Sequence, residues 1–216
     1  YRHYFDELFK IWTAFSTENG ISKLFIVSHG SGNQLKFRTC LGFEKKICDK
    51  KINWILSEDK NEIQLPATKF LNSRKKRKTS EYLCLVDYGA SLFPHRIGTG
   101  KSTFTFSNSK NSFIKLFENF NNEIKQDVIY IPYAEKKESY KGVPSYLKSY
   151  LSKSQVAKKG NFEKYLKKSK LVICFYPQTA FSESIICGPS ILLYDFNKWP
   201  LDNKFRKIHE KLIKYN

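Results

Sequence analysis

Short apolar runs alternate with amphipathic segments along the second half of this chain. The apolar runs are short and rich in β-branched and aromatic residues, so we predict strands over 82–86, 128–131, 171–175 and 191–194. Helical spacing of apolar residues predicts helices over 112–124, 162–168, 179–187, 204–214 and, within a charged segment, 146–151. Because strands alternate with helices, the fold class predicted is α/β, with a Rossmann-like parallel sheet flanked by helices.

The first part of the chain has a similar but less complete pattern. It predicts a helix over 4–19, a buried strand over 24–27 and a short strand over 52–55. Residues 58–80 are polar and contain a dense basic run. We therefore predict three parts: the end of a preceding α/β domain over 1–60, a linker over 61–80 and a Rossmann-like domain over 81–216.

The turn after the predicted strand 171–175 carries the most informative polar residues. Gln178, Thr179, Ser182 and Glu183 would lie at the carboxyl end of that strand, where open parallel sheets bind ligands. A helix N-terminus with hydroxyl groups suits a phosphate, and Glu183 suits a ribose or sugar hydroxyl. The pattern equally fits a core helix that Thr179 caps, with Glu183 completing the cap.

Two sequence blocks resemble a known family. The block YPQTAFSESIICGPSILLYDFNKWPLDNKFRKIHEKL, residues 176–212, resembles the donor-side signature of GT-B-type sugar transferases, in particular those of bacterial surface-polysaccharide clusters. Their pattern is a polar turn, Thr, Glu four residues on, then a small residue and Pro before a strand. The block VSHGSGNQLKFRTCLGFEKKICDKKINWI, residues 27–55, resembles the same family through its His-Gly-x-Gly turn after a strand.

This resemblance implies a GT-B-like glycosyltransferase. The donor would be a nucleotide-activated sugar, bound by the turn and helix that carry Tyr176, Gln178, Thr179, Ser182 and Glu183. The acceptor, a glycan or glycolipid, would lie in a cleft between the domains. GT-B enzymes in general need no bound metal or other cofactor, and no Asp-x-Asp motif is present in this sequence.

His29 and Glu44 are the candidate catalytic residues. His29 follows a predicted strand, and the flanking Gly30 and Gly32 would let backbone amides approach a donor. Neutral His29 could accept a proton from an acceptor hydroxyl, and charged His29 could face a donor phosphate; a hydrogen-bonded structural role is the alternative. Glu44 is a second candidate base, or else an exposed carboxylate beside Lys45 and Lys46.

The segment GTGKST, residues 98–103, resembles the end of a phosphate-binding P-loop. His95 stands where the first glycine of a P-loop is required, and the following FTFSNS is typical of a strand where a P-loop needs a helix. We therefore do not interpret the segment as a nucleotide triphosphatase signature. Arg96 and Lys101 are cationic and the glycines allow close approach, so this loop could still contact a donor phosphate.

The chain carries a formal net charge of +18, which raises a second class of function. A basic nucleic-acid-binding α/β domain is one alternative, although the aromatic residues fall at core spacing and not among the basic ones. The basic run 74–78 is either an exposed linker or a contact with an anionic membrane face. A polyol-phosphate transferase of the teichoic-acid type, with a similar His-Gly turn, is the alternative enzyme.

Five cysteines without paired spacing predict neither a disulfide nor a metal site, and they indicate a reducing cytoplasm. No apolar run has the length of a membrane span, so we expect a cytoplasmic protein, peripheral on the inner membrane face if the basic run docks there. The chain contains no Met and opens within a helical pattern, from which we expect a fragment that lacks its N-terminal part.

Overall fold

The computed structural model of the chain describes residues 6–28, 39–54, 59–66, 81–87, 103–132, 147, 149–158, 161–177, 179–193 and 203–214. These residues form an α/β fold with two parallel sheets flanked by helices. The predicted α/β class with parallel strands is therefore confirmed.

Helices and strands follow one another in this order. The first part of the chain forms α1 (Glu7–Glu18), β1 (Phe25–Val27), α2 (Thr39–Ile47), β2 (Lys50–Asn53) and β3 (Glu62–Gln64). The second part forms β4 (Tyr82–Val86), α3 (Thr103–Glu118), α4 (Asn122–Asp127), β5 (Val128–Ile131), α5 (Phe162–Lys168), β6 (Ser169–Cys174), α6 (Thr179–Cys187), β7 (Ser190–Leu192) and α7 (Asn203–Lys214). A short 3-10 helix, Lys153–Gln155, precedes α5.

The larger sheet has the strand order β5-β4-β6-β7, with every neighbouring pair parallel. Helix α3 covers one face, where Phe113 and Phe117 pack against side chains of β4, β5 and β6. Helices α5 and α6 cover the other face through Leu166 and Phe181. Because both faces are covered, the central strands are apolar along their whole length, as in doubly wound sheets.

The smaller sheet has the order β1-β2-β3, also parallel. The register places Ile26, Lys51 and Glu62 side by side, and since side chains alternate, Val27, Ile52 and Ile63 share the opposite face. Helix α2 covers the first of these faces, through contacts described below. The opposite face is open: Val27 is 58% exposed and Ile63 is 37% exposed.

Several predicted elements have the expected bounds. Strands β4 and β5 and helix α5 match their predictions residue for residue. Helix α6 is present as predicted, but Thr179 is its first residue and not the N-cap before it. Helix α1 begins where the Asp6 side chain accepts the backbone N–H of Phe9 at 3.0 Å. It ends before Gly20, whose φ of +69° favours glycine.

The segment FTFSNS, residues 104–109, was expected to be strand-like, and this prediction is wrong. It lies inside α3. The helix continues to residues that bury Phe113 and Phe117, and this packing outweighs the local alternation of Thr and Phe. A helix therefore begins directly after the GTGKS segment, so the helix requirement no longer argues against a P-loop, whereas the missing first glycine still does.

The single helix predicted over 112–124 is two helices. Helix α3 ends at Glu118, and α4 starts after Asn121, whose side chain accepts the N–H of Ile124 at 2.8 Å. The predicted inward residues are nevertheless correct, because Phe113 and Phe117 are buried in the core and Leu116 and Phe120 pack against it.

Burial of the first part of the chain differs from the prediction. The strand predicted to be buried over 24–27 buries Ile26 but exposes Phe25 and Val27, because it lies at the edge of a sheet with one open face. The apolar side of α1 is exposed as well: Leu8 is 80% exposed and Trp12 is 59% exposed. Packing in this part is therefore less apolar than its sequence indicates.

Two elements of the smaller sheet were not predicted, namely α2 and β3. Strand β3 lies at the start of the segment predicted to be a linker. The division into domains stays a prediction. The basic run 74–78 lies outside the described residues, and of the helix predicted over 146–151 one turn is described, in which Leu151 donates its N–H to the Leu147 carbonyl at 2.9 Å.

The described cysteines are free thiols: Cys48, Cys84, Cys174 and Cys187. Cys174 is buried in the centre of the larger sheet, where burial raises the pKa of its thiol to about 12 although a hydrogen bond with Ser184 acts in the opposite direction. Most of these thiols serve as small core residues.

Candidate functional site

The carboxyl ends of β4 and β6 lie side by side, with Val86 paired to Cys174. The chain passes from β4 to β5 on one side and from β6 to β7 on the other. This is a topological switch point, and open α/β sheets bind their ligands in the crevice outside it. The chain leaves β4 after Val86 and β6 after Cys174 at this edge.

The turn after β6 is tightly packed. Tyr176 is 7% exposed and Pro177 is fully buried, so side-chain packing fixes the chain as it leaves β6. Thr179 and Ser182 are half-buried in the first turn of α6. The N-terminus of α6, with its positive dipole end, therefore lies at the carboxyl edge of the sheet, an arrangement that favours an anion.

Glu183 is buried, with 6% of its surface exposed, on the second turn of α6. Burying a carboxylate is costly unless polar or charged partners compensate for the lost water. A capping box needs the acidic residue three positions after the cap, whereas Glu183 stands four positions after Thr179. This spacing does not match a capping box, and the ligand-binding role of Glu183 stays a prediction.

Asp87 lies at the same edge, directly after β4. The Tyr130 hydroxyl donates a hydrogen bond to Asp87 Oδ2 at 2.7 Å, and the Asp87 N–H donates to the Ile131 carbonyl at 3.0 Å. Tyr130 is itself held by an edge-on contact with Phe113, with 5.6 Å between ring centroids. This carboxylate is thereby oriented at the carboxyl end of the central strand, beside the switch point.

The smaller sheet carries a buried ion pair under α2. Lys51 Nζ lies 2.7 Å from Glu44 Oε2, and the two side chains are 2% and 14% exposed. Glu44 is thus not the exposed carboxylate that the sequence left open as an alternative. Its role as a base stays a prediction. An ion pair can hold a carboxylate in position for a reaction, but it can also engage the carboxylate so that it does not accept a proton.

A second polar chain runs across the three strands of the same face. The Ser28 hydroxyl donates to Asn53 Oδ1, and Asn53 Nδ2 donates to Glu62 Oε2 at 2.5 Å. Lys45 Nζ from α2 lies 2.6 Å from Glu62 Oε1. The hydrogen bond to Glu62 raises the pKa of the Lys45 ammonium, against a smaller effect of burial.

Half of the predicted site residues can be placed. The structure brings four of them together on the turn after β6 and on α6: Tyr176, Thr179, Ser182 and Glu183. Glu44 lies beside β2 of the smaller sheet. The remaining predictions lie outside the described residues: His29, Gly30, Gly32, Arg96 and Gln178.

Three polar residues of the two sheets were not identified from the sequence, namely Asp87, Lys51 and Asn53. Asp87 directly follows an apolar strand, and that position was a usable signal. Lys51 and Asn53 are polar at alternate positions of β2, which marks one face of a strand. Their burial could not be predicted, because it depends on α2 and β3, which the sequence did not reveal.

Two further properties concern the described part of the chain. Its His, Cys, Asp and Glu residues form no group of three or more that could hold a metal ion. None of its helices combines the length and the apolar character that crossing a membrane requires.

Comparison with known proteins gives one match. A model of the LIC12162 family transferases matches residues 1–215. No curated protein matches the chain, and neither does any solved structure. The matched range includes both sheets and every predicted site residue.

Proposed function

The chain belongs to the LIC12162 family of transferases, and on that premise we propose that it transfers a sugar from a nucleotide-activated donor to a surface glycan or glycolipid acceptor. The observation that carries this proposal is Glu183, a buried carboxylate on the helix that follows β6 at the switch point. The same helix offers an N-terminus for a phosphate and a carboxylate for a hydroxyl. A nucleotide-sugar presents both groups.

The donor would bind at the carboxyl edge of the larger sheet. The N-terminus of α6 and the hydroxyls of Thr179 and Ser182 would hold its phosphates, and Glu183 would accept a hydrogen bond from a ribose or sugar hydroxyl. Tyr176 and Gln178 would shape the turn around the donor. From outside the described residues, Arg96 would add a cation, and Gly30 and Gly32 would leave backbone amides open to the phosphates.

In the transfer step, an acceptor hydroxyl oxygen would bond to the anomeric carbon of the sugar. The bond from that carbon to the phosphate oxygen would break, and the nucleotide would leave with the electron pair. His29 would take the hydroxyl proton, and the N-terminus of α6 would stabilise the charge that develops on the leaving phosphate. Glu44 is the second candidate for the proton.

The GT-B arrangement is part of the same proposal. Residues 81–216 would form the donor domain, residues 1–60 the end of the acceptor domain, and residues 61–80 the linker between them. The strands of the two sheets come from residues 25–64 and 82–192, so this division would make β3 the last strand of the acceptor-side sheet and the linker would begin after Gln64. The basic run 74–78 would bring the enzyme to an anionic membrane face where a glycolipid acceptor is found.

The test is donor binding by wild type and Glu183→Ala. We expect a thermal shift with at least one CMP-, UDP-, GDP- or CDP-linked sugar, since a ligand at a hundred times its Kd stabilises a protein by about 2.7 kcal/mol. Losing a charge-assisted hydrogen bond costs roughly 1.5–3 kcal/mol, so calorimetry should show a Kd about 10- to 150-fold weaker for Glu183→Ala.

The matched control is Glu163→Ala, which removes a carboxylate from the neighbouring helix α5 whose side chain is 64% exposed. Its donor affinity should equal that of wild type. Equal affinity in folded Glu183→Ala would contradict the role of Glu183. A shift with CDP-linked polyols alone would favour polyol-phosphate transfer, and tight RNA or DNA binding with a steep salt dependence would favour the nucleic-acid alternative.

A further inference from the structure

Helix α1 carries a regular apolar stripe, and the stripe faces outward. Its four members lie at the i, i+3, i+4 and i+7 positions that share one face of a helix. They are Leu8, Ile11, Trp12 and Phe15. Each of these side chains is between 59% and 80% exposed. A surface helix ordinarily turns such a stripe toward the core of its own domain, so the orientation of α1 is the reverse of the usual one.

The inward side of α1 is mainly polar. Ser16 is buried there, and Thr13 and Thr17 are half-buried. The Thr17 hydroxyl donates to the Thr13 carbonyl at 2.8 Å, which is a bond within the helix itself. Because apolar burial is the main favourable contribution to packing, most of the stabilisation open to α1 lies on its outward face.

The exposed stripe is large enough for a weak specific interface. Four large side chains at these exposures offer roughly 500 Å² of apolar surface, which is near the upper end of what a monomer leaves open to water. Two copies that meet through the stripe would bury about 1,000 Å² in total, the least area that a specific interface needs. We therefore expect a dissociation constant in the micromolar range.

The charges beside the stripe favour a second copy of this chain over an anionic membrane. Asp6, Glu7 and Glu18 are acidic, and the one basic residue of the helix, Lys10, lies 2.7 Å from the Glu7 carboxylate. An anionic lipid surface would repel these carboxylates. In a chain with a net charge of +18, however, an acidic helix is the surface through which two copies meet with the least repulsion.

We propose that α1 is the interface of a homodimer, in which the stripes of two copies pack antiparallel. A two-fold axis between Ile11 and Trp12 brings Ile11 against the partner's Trp12, and Leu8 against the partner's Phe15. Each contact then joins an aliphatic to an aromatic side chain, which packs more evenly than the like-with-like contacts of a parallel pair. The antiparallel pair also aligns the two helix dipoles favourably. This interface goes beyond sugar transfer and does not depend on it.

The first experiment measures the oligomeric state of the whole chain by analytical ultracentrifugation. We expect a monomer–dimer equilibrium with a Kd of about 10–100 µM. The Kd should be about tenfold lower in about 0.3 M salt than in about 0.05 M salt, because salt screens the repulsion between the two basic copies.

The variant Ile11→Glu tests the interface. It places two like charges beside the two-fold axis and should raise the Kd at least about tenfold, while glutamate is at least as good a helix former as isoleucine. The matched control is Ile208→Glu on α7, where the isoleucine is 43% exposed. This control changes the net charge by the same amount, so its Kd should stay within about twofold of that of wild type.

The second experiment tests the antiparallel arrangement by disulfide formation. Chains with Leu8→Cys are mixed with chains with Phe15→Cys and oxidised briefly. The mixture should give at least about tenfold more cross-linked dimer than either variant alone, since positions 8 and 15 meet only across an antiparallel pair. Wild type treated in the same way controls for the native cysteines. Efficient cross-linking of Leu8→Cys by itself would overturn the antiparallel arrangement.

Three further results would overturn the homodimer. One is a monomer at about 100 µM protein in about 0.3 M salt. Another is a dimer whose Kd is unchanged in Ile11→Glu that circular dichroism shows to be folded. The third is binding to phosphatidylglycerol vesicles that Ile11→Glu abolishes, without dimer in solution, which would assign the stripe to a membrane. None of these measurements involves a donor, so the proposed function succeeds or fails separately.

Discussion

The larger sheet buries apolar side chains on both faces, whereas the smaller sheet buries ions on one face and exposes apolar side chains on the other. Apolar burial stabilises in proportion to area and needs no partner of fixed orientation. Buried ions gain little net stability but demand one arrangement. The larger sheet is therefore stabilised mainly by apolar burial, and the smaller sheet fixes the orientation of its polar side chains.

The largest expected effect is on the buried ion pair. Lys51→Met leaves Glu44 in a site built for a charge partner and should lower the free energy of unfolding by about 3–5 kcal/mol. The double variant Lys51→Met, Glu44→Leu should recover most of that loss. Urea unfolding followed by tryptophan fluorescence, to which Trp54 directly after β2 contributes, measures both. A double variant as unstable as the single one would mean that the pair itself stabilises the smaller sheet.

A slightly smaller loss is expected in the apolar core of the larger sheet. Leu85 is fully buried on the central strand β4, and Leu85→Ala should cost about 2–5 kcal/mol through lost transfer energy and the cavity that remains. Unlike the ion pair, this loss should not be recovered by changing a single neighbour such as Phe113. Circular dichroism during urea unfolding gives the value, and a cost below about 1 kcal/mol would show that this core is loosely packed.

The smallest expected effect is a loss of unfolding free energy at alkaline pH, caused by the Cys174 thiol. The folded pKa of about 12 lies above the ordinary thiol value of 9.0, so the thiol stays neutral in the folded state. The contribution of this raised pKa to the free energy of unfolding is complete below pH 9. It is lost as the pH rises toward 12, because the thiol of the unfolded chain releases its proton at a lower pH. At pH 10.5 the loss should be about 2 kcal/mol.

The variant Cys174→Ala isolates this effect from the titration of lysines. Between pH 8 and pH 10.5 it should lose about 2 kcal/mol less unfolding free energy than wild type, whatever its stability at pH 8. Cys48, beside the smaller sheet, is partly exposed, and burial raises the pKa of its thiol less, so Cys48→Ala should change the pH profile by less than Cys174→Ala does. Parallel pH profiles for wild type and Cys174→Ala would contradict the raised pKa.

The larger sheet could be predicted from local sequence, and the smaller one only in part. Strands β4 and β5 are continuous apolar runs, because both of their faces are covered. Strand β3 is Glu-Ile-Gln, and three residues with one apolar side chain give no local signal. β3 is held by its parallel pairing with β2 and by the hydrogen bond between the Asn53 and Glu62 side chains, contacts that sequence patterns do not show.

The polar residues of the two sheets also differ in how far they could be predicted from the sequence. The turn and helix with Thr179 and Glu183 are contiguous in sequence, so their shared position at the edge could be predicted. The polar network is not contiguous: Ser28 and Asn53 are 25 residues apart, and Asn53 and Glu62 are nine apart. Only the parallel register brings these residues onto one face, and that register depends on an element that was not predicted.

The exposed apolar side of α1 governs how this protein behaves at high concentration. With Leu8, Trp12 and Phe15 facing water, two copies that meet through this helix would gain by covering it. The net charge of +18 keeps copies apart at low ionic strength, but at 0.1 M salt that repulsion extends only about 10 Å. Solubility should therefore fall as salt is added, so dilute buffer is the better medium for storage and crystallisation.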